Sequence, residues 1–170
     1  VSLSRVTGQE QYEKWAKRWS KTEVSVKKTV AKLVTARRLS PGLIGFDGAI
    51  AIRAALALGD RPRAQSLASE ILKHHTTWNV PTLKQIYYAV VSKGALLEAL
   101  SFLGGHEKDC ERLAKSLVKE QDKNGAWLTN ETQATAYALR GLAAHTSKAG
   151  EKSLRKALGW LRNSQLSTGA

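Results

Sequence analysis

Two kinds of helical segment alternate along this chain, and that alternation constrains the fold more than any other feature. Residues 107–121 place Cys110, Leu113, Ala114, Leu117 and Val118 on one helical stripe. Residues 63–74 repeat the pattern with Ala64, Leu67, Ala68, Ile71 and Leu72, and residues 151–164 repeat it with Leu154, Leu158 and Leu161. Between them lie segments that are apolar nearly all round: 47–58 (DGAIAIRAALAL) and 131–144 (ETQATAYALRGLAA). Residues 82–103 are of the same kind and read as two helices, or as one helix broken near Gly94. A one-sided helix buries one face, whereas a helix apolar on most faces must be covered on most faces. The order therefore predicts an all-α fold of stacked αα-hairpins in two layers. The short β-like runs Ile86-Tyr87-Tyr88 and Val90-Val91 fit a helical stripe from Leu83 better than a strand. Pro41, Pro62 and Pro81 each sit beside an expected helix boundary. Asn130, with Gln133 three residues on, reads as an approximate capping box for the helix that follows.

An internal repeat agrees with the hairpin reading. Residues 117–127 are LVKEQDKNGAW and residues 161–170 are LRNSQLSTGA; aligning Gln121 with Gln165 also aligns Gly125 with Gly169, an offset of 44 residues. That spacing suits a two-helix unit. A fainter echo relates Ala51-Ile52 to Ala136-Tyr137, 85 residues apart. Gly125 is expected to end the helix in a positive-φ conformation, with Gln121 in the last helical turn. Trp127 then folds back between hairpins, and Gln121 bonds the backbone groups of the turn. Gln121, Gly125 and Trp127 are accordingly read as structural.

Gln121…Gly125-Ala126-Trp127 is similar to the QxxxGxW element repeated in squalene–hopene and oxidosqualene cyclases. The segments ATAYALRGL (134–142) and ALGWLRNSQ (157–165) resemble the inner and outer helices of α/α-toroid domains. That superfamily also holds protein prenyltransferase β subunits and complement-type thioester domains. The resemblance extends over 107–170, is weaker over 43–105 and is absent from 1–40. It implies part of an α/α toroid. A closed toroid of six hairpins takes about twelve helices at this repeat length, and the chain can supply about eight. An open arc is expected, or one completed by another chain.

The residues of catalysis in those families do not recur. No acidic DxDD-like cluster is present, and no GCGEQ-like thioester segment. Glu107, Asp109, Glu111, Glu120 and Asp122 interleave with Lys108, Arg112, Lys115, Lys119 and Lys123, the pattern of a solvated helix face with i,i+4 pairs. Asp109-Cys110 is the nearest thing to a zinc-ligand pair, yet adjacent side chains on a helix diverge and Cys110 falls on the apolar stripe. His74-His75 has no third ligand nearby, and His106 and His145 are lone histidines near turns. Gly42, Gly45 and Gly48 follow no strand and read as a flexible entry to a helix. Asn130-Glu131-Thr132 matches a glycosylation acceptor, a motif frequent by chance. No catalytic residue, metal or cofactor is expected.

The chain carries 27 Lys and Arg against 14 Asp and Glu, a net charge of +13. Residues 1–40 hold ten of the bases and three of the acids. They read as a basic helical arm, with the hairpin domain at 41–170. Tyr12, Trp15 and Trp19 form a stripe among Lys14, Lys17, Arg18 and Lys21; Lys27 and Lys28 flank the next stripe. These basic residues, with Trp15 and Trp19, are the candidates for an anionic partner: an acidic protein, a lipid surface or a nucleic acid. No apolar run approaches the length needed to span a bilayer.

Three functions remain open on these grounds. The first is a non-catalytic helical-repeat protein or subunit that binds another protein in a larger assembly. The second is a fragment of a terpene-cyclase- or prenyltransferase-like enzyme acting on isoprenoids, and the third is a basic nucleic-acid-binding module. Because the second copy of the motif breaks off at Gly169-Ala170 and no polar cap follows, the C-terminal edge is expected to need cover from more polypeptide, a second copy or a partner. The compartment is left undecided.

Overall fold

The computed structural model describes residues 14, 41–73, 83–145 and 147–165. Apart from Lys14, which is helical, they form six helices: α1 (Pro41–Ala57), α2 (Arg61–Lys73), α3 (Leu83–Leu103), α4 (Glu107–Glu120), α5 (Thr132–Ala144) and α6 (Lys148–Ser164). No strand occurs among the described residues, so the fold is all-α. The all-round apolar helices α1, α3 and α5 stand side by side with α3 in the middle. The one-sided helices form a second row: α2 packs on α1, α4 on α3, and α6 on α5.

Small residues let the inner row close up. A Cβ on Gly94 of α3 would lie 2.2 Å from the Tyr137 carbonyl oxygen of α5, and one on Gly141 would lie 2.5 Å from the Gly94 carbonyl oxygen. The two helices thus meet backbone to backbone. Gly94 breaks nothing: α3 runs unbroken from 83 to 103, and the glycine serves close approach instead of a kink. Gly42, Gly45 and Gly48 likewise lie within α1, not in a flexible entry.

The turns are specified locally. Gly59, at φ 76°, closes α1 with bonds from its own N–H to Leu56 O (3.0 Å) and from Asp60 N–H to Ala55 O (2.9 Å), a Schellman pair. Asp60 then caps α2, accepting from Arg63 N–H at 3.1 Å. Arg61 reaches across to donate to the Leu103 carbonyl at the end of α3. Ser147 caps α6 by accepting from Gly150 N–H at 3.1 Å. Helix α5 departs from the expected box. Its cap position is Glu131 with no side-chain bond, and Asn130, at φ 73°, accepts instead from Asn124 Nδ2 and Trp160 Nε1.

The core lies between the two rows and includes Ile52, Ile71, Leu96, Leu100, Leu103, Leu113, Leu117 and Leu142. The α2 and α4 stripes are buried as a helical period requires, with Leu72 and Val118 at their edges. Helix α6 differs. Its buried residues are Gly150, Ser153 and Ala157, while Leu154 and Leu161 are half-buried and Leu158 is 50% exposed. The leucine stripe is rotated away from the core because Gly125 and Gln121 press close to the α6 backbone.

Candidate interaction site

The repeat motif builds a staple between the α4 end and α6. Gly125 does not end α4: the helix stops at Glu120, and Gln121 is its extended C-cap instead of part of its last turn. The Gln121 amide donates to the Gly125 carbonyl (2.8 Å) and to the Ser153 carbonyl (2.9 Å), and accepts from Ser153 Oγ (2.7 Å). Gly125 has φ 100°, and a Cβ there would lie 2.5 Å from the Lys156 carbonyl oxygen. Only glycine meets both conditions. Trp127 is fully buried; its indole N–H donates to the Leu117 carbonyl (2.9 Å), and its backbone N–H donates to Thr135 Oγ1 (3.1 Å). Gln165, 44 residues after Gln121, caps α6, its N–H bonded to Leu161 O at 3.1 Å. Gly169 lies outside the described residues. So do Trp15, Lys17, Arg18, Trp19, Lys21, Lys27 and Lys28 of the arm, and His74-His75; Lys14 is exposed.

A second cluster, which no sequence motif marked, ties the inner row together across its other face. Glu98 of α3 accepts from Arg53 of α1 (3.1 Å) and from Arg140 of α5 (3.0 and 2.9 Å). The Glu98 side chain is 10% exposed, while the two guanidinium side chains are 45% and 43% exposed. Arg140 also stacks over the Tyr137 ring at 5.4 Å, and Tyr137 meets Phe46 edge-on at 5.3 Å. One turn from these residues, on the same helix faces, stand Ile50 and Phe102, 51% and 60% exposed. A trace of it is present in the sequence: Arg53, Glu98 and Arg140 recur 45 and 42 residues apart, near the motif's own period.

A cavity of about 140 Å³ opens between α3, α4 and α5, with Ser101, His106, Glu107, Cys110 and His145 among its lining. Burial, with Asp109 and Glu107 close by, pushes the Cys110 thiol up, against a smaller opposing effect of Ser101, whose hydroxyl lies 3.9 Å from the sulfur. A thiol held neutral is a poor nucleophile. His106 bonds Gln65 at 2.9 Å, and His145 lies 3.3 Å from Glu111. His145, and then Lys115, hold the Glu111 carboxyl below its ordinary value. Asp109 pairs with Arg112 at 2.8 Å. Among the described residues no three His, Cys, Asp or Glu side chains are placed to share a metal ion, and no helix is long and apolar enough to cross a membrane.

Compared with models of protein families, with curated proteins and with solved structures, the chain matches none.

Proposed function

We propose that this chain is a non-catalytic helical-repeat domain that binds another protein, and that the outward face of the inner row is where it does so. The observation that carries this reading is the pairing of Ile50 and Phe102, both more than half exposed, with the Arg53–Glu98–Arg140 bridge one helical turn from each. Exposed large apolar side chains next to charged groups on packed helices are common at binding surfaces. The bridge holds the three helices in register, so the surface is preorganised. The α/α-toroid reading of 107–170 stands beside this proposal, supported by the geometry of Gln121, Gly125 and Trp127. We place a second contact, to a partner or another copy, at the α6 edge, where Leu158 is half exposed.

A photo-crosslinking residue at position 102, compared with one at position 115 on the outer row, tests the main proposal. Crosslinking in the expressing cell to a defined protein from 102, and not from 115, is expected. No adduct from 102, or the same adducts from both, would remove it.

A further inference from the structure

We infer that the occupant of this face is an acidic amphipathic helix of the partner protein. The inference rests on the protein-binding reading above and names the chemistry of what is bound. The face presents two guanidiniums against one carboxylate. Arg53 and Arg140 bond the same oxygen, Glu98 Oε2, at 3.1 and 2.9 Å, so their charges lie side by side at the surface. Each guanidinium has five N–H donors, and one nitrogen of each is turned to Glu98. Both side chains are nearly half exposed, which leaves donors available to an incoming carboxylate. Glu98 already accepts three bonds and is largely buried, so it competes little for a further cation.

Apolar side chains decide the rest of the occupant's chemistry. Ile50 lies one turn from Arg53 on α1, and Phe102 one turn from Glu98 on α3. A partner must therefore supply carboxylates next to aliphatic or aromatic groups, at the spacing of one helical turn. An amphipathic helix has that spacing on a single face. A nucleic acid backbone supplies closely spaced phosphates and suits a continuous basic strip; here a buried carboxylate and an isoleucine interrupt it. A second copy of this chain, set face to face, would bring Arg53 and Arg140 against their own kind. The chain's charge of +13 opposes that further, and favours an acidic partner at long range.

The test uses the full chain and fluorescein-labelled 18-residue peptides of helical leucine–glutamate pattern, read by anisotropy at physiological salt. A matched peptide has glutamine at every glutamate. The wild-type chain should bind the glutamate peptide at least tenfold more tightly. The double variant Arg53→Gln/Arg140→Gln, and separately Phe102→Ser, should each lose about tenfold, with helical circular dichroism unchanged. Lys115→Gln on the outer row should lose nothing. Equal binding of the two peptides by the wild-type chain would overturn the inference without involving any variant. So would a labelled oligothymidylate or oligouridylate whose binding depends on Arg53 and Arg140, or self-association abolished by Phe102→Ser. The two readings fail separately: a crosslinked partner whose bound segment lacks acidic residues sinks this inference alone, whereas no crosslink from position 102 sinks the protein-binding reading.

Discussion

Gln121 and Ser153 exchange hydrogen bonds across 32 residues of chain: the glutamine amide donates to the serine's carbonyl, and the serine hydroxyl donates to the glutamine's side-chain oxygen. The contact joins the C-terminus of α4 to the middle of α6, and Trp127 fills the space behind it. Trp127→Ala should cost about 3–5 kcal/mol, as for a large buried aromatic. Trp127→Phe should cost less, about 1–3 kcal/mol, because the ring is largely kept while the Leu117 carbonyl loses its donor. Urea denaturation of the two variants checks the order. A Trp127→Ala variant within a few tenths of the wild type would show that the indole contributes nothing to the junction.

The backbone contact at Gly94 and Gly141 predicts an intolerance that surface area would not reveal. A methyl group at either site meets main-chain atoms, which cannot swing aside like the end of a side chain. Gly94→Ala and Gly141→Ala should each destabilise by about 1–3 kcal/mol or more, despite alanine's better helix propensity. A rise in melting temperature for either would mean that α3 and α5 do not pack this closely.

Glu98 and its two arginines should respond unequally. Removing the carboxylate leaves two guanidiniums facing each other over a desolvated spot, so Glu98→Gln is expected to cost about 2 kcal/mol. Arg53→Gln or Arg140→Gln alone removes a half-exposed charge whose counterpart keeps another partner, and should cost under about 1 kcal/mol. A double-mutant cycle on Arg53 and Arg140 measures the remainder.

Cys110 gives a chemical readout of burial. Its folded pKa is raised, so at pH 8 the native thiol is less ionised than the unfolded one. Iodoacetamide should label the native chain far more slowly than the urea-unfolded chain, and rising pH should speed the native reaction only beyond the ordinary thiol range. Equal rates in the two states would mean that the sulfur is open to solvent.

Asp47 shifts the other way from Glu111, and the signs differ in consequence. Burial raises the Asp47 carboxyl above its ordinary 3.8, although the residue as a whole is exposed. Its contribution to stability is full below that value and is lost as pH rises through the raised one. Asp47→Asn should therefore raise the melting temperature at pH 7 and lose the advantage below about pH 3.8. Glu111, held low by His145 and Lys115, contributes stability above the ordinary carboxylate value and loses it as pH falls through its lowered one. Melting curves of Asp47→Asn and Glu111→Gln from pH 3 to pH 7 should diverge in opposite directions.

Much of this was legible before any coordinates. The alternating stripes name the helices and, among them, the ones buried on several sides. The charges within the inner helices were equally visible, yet no local pattern says that Arg53, Glu98 and Arg140 meet. Gly94 was misleading for a definite reason. A glycine in an apolar helix signals either a break or a close approach, and only the neighbouring helix distinguishes them. Leu154, Leu158 and Leu161 misled similarly, since a stripe of leucines looks like a core face until small residues are found on the face actually pressed.

Periodicity and turn chemistry are properties of residues near one another along the chain, so the sequence alone determined the helical class, the buried stripes of α2 and α4 and the special status of Gly125. Contacts between segments tens of residues apart depend on how helices are rotated and spaced, and one backbone approach can set both. The meeting of Gly94 with Gly141 places α5 against α3, and the α4–α6 staple turns Ser153 inward and Leu158 outward. Tertiary structure alone decided that Arg53, Glu98 and Arg140 form one bridge, and that an isoleucine and a phenylalanine stand exposed beside it.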